Sequence, residues 1–154
     1  MSNGNRVRRL LIVDDDETDR RLYRRLLARR TQNAFEVEAA VDGAAGIAAL
    51  RAREFDCLLL DFSLPDGTGL EFLAAAAVDD ELPCAVVLIT GNSNAAIAVE
   101  AMKRGVEAYL VKDDVDEERL FGAIEQAVSR RASRPRRARP PGAERDAGAG
   151  ERGA

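Results

Sequence analysis

The chain has 154 residues, 46% of them hydrophobic and 32% charged, with a formal net charge of −4; this suits one globular domain with a core of its own. It contains no histidine, which excludes Ser-His and Cys-His nucleophilic pairs, histidine-based zinc sites and phosphohistidine on this chain. No apolar run is long enough to cross a bilayer, and acids interrupt the apolar stretch after Val13 too early for an export signal, so a cytoplasmic protein is expected.

Short apolar runs recur along residues 7–129 at Leu10–Val13, Phe35–Val41, Cys57–Leu60, Ala85–Ile89 and Ala108–Val111. Their lengths and their β-branched residues suit strands, and the uninterrupted runs suit strands buried on both faces. The first run leads straight into Asp14, Asp15 and Asp16. A helical stripe follows, Leu22, Tyr23, Leu26 and Leu27, with Arg20, Arg21, Arg24 and Arg25 on the opposite side. That arginine face reads first as a solvated surface. Asp16 stands where an N-cap acceptor is wanted. The third run ends in Asp61, and Pro65-Asp66-Gly67 beyond it reads as turn chemistry, with Gly67 free to take positive φ. The fourth run ends in Thr90 with Gly91 after it. The fifth ends in Lys112, one of only two lysines, followed by Asp113 and Asp114 at a loop start. A last stripe, Leu120, Phe121, Ile124 and Val128, follows an acidic first turn at Asp116, Glu117 and Glu118. Cys57 and Cys84 lie inside apolar runs without metal-ligand spacing and read as small buried hydrophobes.

Residues 130–154 carry eight arginines, three acids and three of the five prolines, with no Val, Ile, Leu or aromatic residue. Such a segment buries too little apolar surface to offset its ordering entropy, and disorder is expected. Its reading as a solvated extension is favoured over contact with nucleic acid or an acidic partner. Residues 1–6 read as a short N-terminal extension.

Strand then helix, five times, predicts a parallel sheet with helices on both faces through right-handed crossovers. In open parallel sheets, ligands sit beyond the carboxyl ends of the strands. At that edge this chain places carboxylates, a hydroxyl and a lysine, which together suit phosphate chemistry. Carboxylate oxygens bind Mg²⁺, which neutralises phosphoryl oxygens. The Lys112 ammonium and the Thr90 hydroxyl can hold two more oxygens. Gly91 leaves room beside the hydroxyl, and one carboxylate remains free to act as a nucleophile.

LLIVDDDETDR, DCLLLDFSLPDGTG, VVLITGN and AYLVKD resemble, in order and separation, the four signatures of the response-regulator receiver domain of two-component signalling, as found in chemotaxis regulators. The resemblance covers residues 7 to about 129. It implies a doubly wound, flavodoxin-like α/β fold with five parallel strands in the order 2-1-3-4-5. It also implies phosphorylation at Asp61 by a sensor histidine kinase or histidine phosphotransfer protein, with self-catalysed phosphotransfer and dephosphorylation. Mg²⁺ would be held directly by Asp15 and Asp61, by Asp14 largely through water, and by the backbone carbonyl of Ser63. Lys112 would pair with the phosphoryl group, Thr90 would be the switch hydroxyl and Tyr109 the aromatic that turns inward. Tyr109 also reads as an ordinary half-buried strand aromatic. Ser63 and Asn92 occupy positions that tune dephosphorylation in the family, and the first helix helps dock the kinase. The output surface would comprise the fourth helix, fifth strand and fifth helix.

Many receivers have proline after the lysine, often through a cis peptide; Asp113 stands here instead, which leaves the geometry of that loop open. No effector domain follows in this sequence, so either a stand-alone receiver or a fragment of a longer regulator is expected. Two other readings compete. Asp14-x-Asp16-x-Thr18 is similar to the first motif of haloacid-dehalogenase-type phosphatases, with Asp14 as nucleophile and Asp16 as acid/base. Thr90, Lys112 and Asp113–Asp114 would imitate the later motifs, but that reading leaves Asp61 unexplained. The remaining alternative is a receiver-like docking module that never takes up phosphate.

Overall fold

A computed structural model of the chain describes residues 7–30, 35–91 and 94–133. Five strands, β1 (Arg8–Val13), β2 (Phe35–Ala40), β3 (Cys57–Asp61), β4 (Ala85–Thr90) and β5 (Ala108–Val111), alternate with α1 (Glu17–Ala28), α2 (Gly43–Ala52), α3 (Gly69–Ala76), α4 (Ala95–Lys103) and α5 (Glu117–Ser133). The sheet order is 2-1-3-4-5 and every neighbouring pair is parallel. The expected α/β architecture is therefore present, and each apolar run falls on its own strand. One element goes beyond it. Ser63–Leu64 pairs antiparallel with Gly67–Thr68 in a small hairpin just past β3, where Gly67 has φ 148°, a region that favours glycine.

Because strand side chains alternate between faces, two cores form. Leu10, Ile12, Leu59, Val87 and Ile89 pack with Tyr23, Leu26 and Leu27 of α1 and Leu120, Ile124 and Ala127 of α5. Leu11, Val13, Leu58, Leu60, Val86 and Leu88 pack on the other face with Ala49, Phe72, Leu73 and Ala101 from α2, α3 and α4. Cys57 belongs to the first core and Cys84 to the second. Both thiols are free and buried, which agrees with their reading as small hydrophobes. Burial pushes the pKa of both thiols up, that of Cys84 to about 12, so they remain neutral.

Caps set where the helices begin. Asp16 accepts from Thr18 N–H at 2.8 Å and Asp19 N–H at 3.4 Å, the role its position suggested. Thr68 and Glu71 form a capping box at α3. Two carboxylates serve α2: Asp42 accepts from Ala45 N–H, and Asp66 reaches across from the hairpin to Gly43 and Ala44 N–H at 2.8 and 3.0 Å. Those two backbone bonds hold the Asp66 carboxyl below the usual range. α5 runs to Ser133, four residues beyond the boundary drawn at 129 from composition. Arg130 and Arg131 donate to the carbonyls of Glu107 and Cys84, so the first two arginines of the basic run tie α5 to the entry of β5 and to the residue before β4. The rest of the basic segment, residues 134–154, lies outside the described residues, as do residues 1–6. Among the described residues no helix is long and apolar enough to cross a membrane.

Between α3 and β4, Val78 and Glu81 exchange both backbone hydrogen bonds, at 2.8 and 3.0 Å. The intervening Asp79 and Asp80 have φ 54° and 64°. A two-residue loop with positive φ at both positions is type I′ geometry, for which Asn-Gly is best suited. The double change Asp79→Asn with Asp80→Gly is expected to stabilise the fold by about 1 kcal/mol. In thermal denaturation that corresponds to a rise of roughly 4 °C. A lower melting temperature would show that the acidic side chains themselves hold the turn.

Candidate functional site

The carboxyl ends of β1, β3, β4 and β5 deliver Asp14, Asp61, Thr90 and Lys112 to one edge of the sheet. Register explains the convergence. Val13 lies opposite Leu60, Asp61 opposite Ile89, and Thr90 opposite Val111, so the functional residues follow one another across neighbouring strands. Asp14, Asp61 and Thr90 are all buried, while Asp15 is exposed at the rim.

One oxygen from each of Asp14, Asp15 and Asp61 lies within 4.8 Å of the others. Oδ1 of Asp14 accepts from Asp16 N–H at 2.9 Å. Its Oδ2 is buried with no hydrogen-bond partner, and the Lys112 ammonium is 3.7 Å away, beyond hydrogen-bond reach. A buried carboxylate oxygen in that condition is costly unless a cation completes it. The donor set is all oxygen and partly open to water, which fits Mg²⁺. Burial, opposed by the Asp16 N–H and reinforced by the Asp61 charge, raises the Asp14 carboxyl from 3.8 to about 7. Arg20 braces the same residue from behind, donating to the Asp14 carbonyl at 2.8 Å.

Lys112 Nζ lies 3.2 Å from Asp61 Oδ2. It lies 2.7 Å from Oδ2 of Asp19 in the first turn of α1. Burial alone would favour the neutral amine. The Asp19 bond and the charges of Asp14 and Asp61 outweigh it and hold the ammonium well above its ordinary range. Asp19 is the site residue that motif reading missed. Its one sequence signal is its place one helical turn beyond Asp15, and the partner it meets lies 93 residues away. Tyr23, a further turn along α1, is buried. Burial, and then the charges of Asp19 and Asp14, keep its phenol firmly protonated.

The loop residues fall around this cluster. Ser63 donates its N–H to Asp61 Oδ1 at 3.3 Å. A Cβ built at Gly91 would meet nothing within 4 Å, so there is space beside Thr90. The Tyr109 hydroxyl accepts from Asn94 N–H at 3.4 Å, tying β5 to the residue that caps α4. Lys112 opens a single 3₁₀ turn through Asp114. No peptide among the described residues is cis, which answers the question left open by Asp113. Asn92 lies outside the described residues.

The family model for the response regulator receiver domain matches residues 10–125. The chain belongs to the response regulator receiver family. Over 105 residues, this receiver is 33% identical to the chemotaxis protein CheY of Pseudomonas aeruginosa, covering 68% of this chain and 83% of that one. It is 36% identical over 128 residues to the acid tolerance regulatory protein ActR of Rhizobium meliloti, covering 82% of this chain and 62% of ActR. Among solved structures, a CheY-like receiver domain protein from Methanospirillum hungatei superposes with a TM-score of 0.70 at 27% identity. That match covers 82% of this chain and 97% of the other. The phosphatase reading of the first motif loses its acid/base: Asp16 is engaged as the α1 cap, and Asp113 and Asp114 are exposed in the 3₁₀ turn.

Proposed function

We propose that this receiver accepts a phosphoryl group onto Asp61 in a Mg²⁺-dependent reaction and answers by reshaping the surface formed by α4, β5 and α5. The supporting observation is the pairing of Lys112 with Asp61 at 3.2 Å beside three carboxylates whose oxygens converge within 4.8 Å. Asp15 and Asp61, with Asp14 through water and the Ser63 carbonyl, would hold Mg²⁺, which when bound would supply charge neutralisation for the phosphoryl oxygens. The donor is a phosphohistidine on a sensor kinase or phosphotransfer protein, in keeping with a chain that has no histidine. An Asp61 oxygen attacks phosphorus, the P–N bond breaks, and the departing imidazole keeps the electron pair and takes a proton. Lys112 and Thr90 hold phosphoryl oxygens, and hydrolysis by water later returns the free carboxylate.

The switch begins at Thr90. Drawn toward the phosphoryl group, it vacates space that Tyr109 enters, and the Tyr109 bond to Asn94 is given up. Such a two-state shift needs only a few kcal/mol of differential contact, roughly 2–5. The body responsible is residues 7–129 with the last turn of α5. The protein acts in the cytoplasm and signals by docking to an output partner.

Incubation with Mg²⁺ and a small phosphodonor, followed by reductive trapping and peptide mapping, tests this reading. Label at Asp61, absent from Asp61→Asn, is the expected result. Label at Asp14, or persistence in Asp61→Asn, would overturn it, and an unlabelled protein that binds a partner unchanged would favour the docking module.

A further inference from the structure

Lys112 is shared. Its shortest contact, 2.7 Å to Asp19 Oδ2, goes to a carboxylate outside the group of Asp14, Asp15 and Asp61. Asp61 and Asp14 follow at 3.2 and 3.7 Å. Asp19 is set in place by the helix, through the bond from its N–H to the Asp16 cap. Both side chains are largely shielded, 22% exposed for Asp19 and 24% for Lys112, where ion pairing is stronger than at an open surface.

We propose that Asp19 is a positioning residue that anchors Lys112 on the α1 side of the cleft, so that the ammonium reaches Asp61 with one donor and is not drawn further onto the carboxylates that would bind a metal. The consequence rests on the reading of Asp14, Asp15 and Asp61 as a metal site; the anchor itself does not. An ammonium has three N–H donors. With Asp19 holding one, another faces Asp61 and is available to an oxygen that arrives there. Without Asp19 the nearest anions are Asp61 and Asp14, both within 4 Å. A divalent cation would then have to displace the lysine from the same oxygens it needs. Asp19 keeps its hold when a cation neutralises the others, because it is not among them.

The chain has two lysines, and the other, Lys103, is exposed at the end of α4. Side-chain ammonium ¹⁵N spectra of the metal-free protein therefore read Lys112 against an internal reference. A protected Lys112 signal is expected in the wild type and in Asp19→Glu, and a shifted or exchange-broadened one in Asp19→Asn. In calorimetric titration with Mg²⁺, Asp19→Asn is expected to bind about tenfold more weakly and Asp19→Glu to return within about threefold of wild type. Glu17→Gln removes an exposed charge from the same turn, one paired with Arg21, and should change affinity by less than about twofold. A Lys112 signal indifferent to Asp19→Asn would overturn the proposal, as would a loss of Mg²⁺ affinity no greater than that of Glu17→Gln. A signal that follows Asp19 in a protein binding no Mg²⁺ would uphold the anchor and sink the metal reading instead.

Discussion

Asp14→Asn is expected to make the metal-free protein more stable above neutral pH while removing most of its Mg²⁺ binding. Asp14 is 1% exposed, one of its oxygens has no hydrogen-bond partner, and its carboxyl is raised from 3.8 to about 7. A folded-state value above the unfolded one means that the native state binds the proton more tightly. The associated stability is therefore complete below about pH 4 and drains away as pH rises toward 7. At about 1.4 kcal/mol per unit the full deficit approaches roughly 4 kcal/mol. Asparagine keeps an acceptor for Asp16 N–H and never ionises, so about 2–3 kcal/mol of this should be recovered at pH 8. That corresponds to a melting temperature roughly 10 °C higher. Near pH 4 the two proteins should melt together. Added Mg²⁺ should reverse the order at pH 8, because it stabilises only the form that binds it. Apparent Mg²⁺ affinity of the wild type should fall by up to about tenfold per unit of acid below pH 7, as the metal competes with the Asp14 proton. Equal melting temperatures at pH 8 without metal would show that the buried carboxylate carries no such penalty.

What could be read from the amino-acid string follows from how local each feature is. The strands were legible because β1, β3 and β4 are buried on both faces and so read as unbroken apolar runs. Asp14, Asp61, Thr90 and Lys112 were legible as a group because strand order places the carboxyl ends of parallel strands together. The Asp16 cap was legible because it acts within its own helix turn. The Thr68–Glu71 capping box is equally local, and T-x-x-E is its signature in the string. Asp66 and Asp19 were hidden for a different reason. Each serves a group far away in sequence, the α2 amides in one case and Lys112 in the other. No local pattern reveals that the hairpin leans over α2, or that the first turn of α1 faces the end of β5. The extension of α5 to Ser133 was masked by composition: an arginine-rich end looks like tail, yet Arg130 and Arg131 find carbonyls at the start of β5 and just before β4.

Replacing Lys112 by methionine should separate metal binding from phosphoryl capture and move them in opposite directions. Methionine keeps an unbranched stem of similar length and removes the charge. Three carboxylates then lose the cation within 4 Å of each, and their mutual repulsion is left to be relieved. In the metal-free protein this costs stability, about 2 kcal/mol once the lysine's partial exposure is discounted. Mg²⁺ meets a more negative cleft with no neighbouring ammonium to repel it, so its affinity should rise several-fold, roughly three to ten. Phosphoryl capture should fall by about a hundredfold, the usual effect of losing one preorganised donor to developing charge. The decisive comparison is made at saturating Mg²⁺, where weak metal binding cannot explain a slow reaction. Tighter Mg²⁺ with slow labelling of Asp61 would assign the lysine to the phosphoryl oxygens. Weaker Mg²⁺ would instead mean that Lys112 shapes the metal site, and labelling at the wild-type rate would remove it from the chemistry altogether.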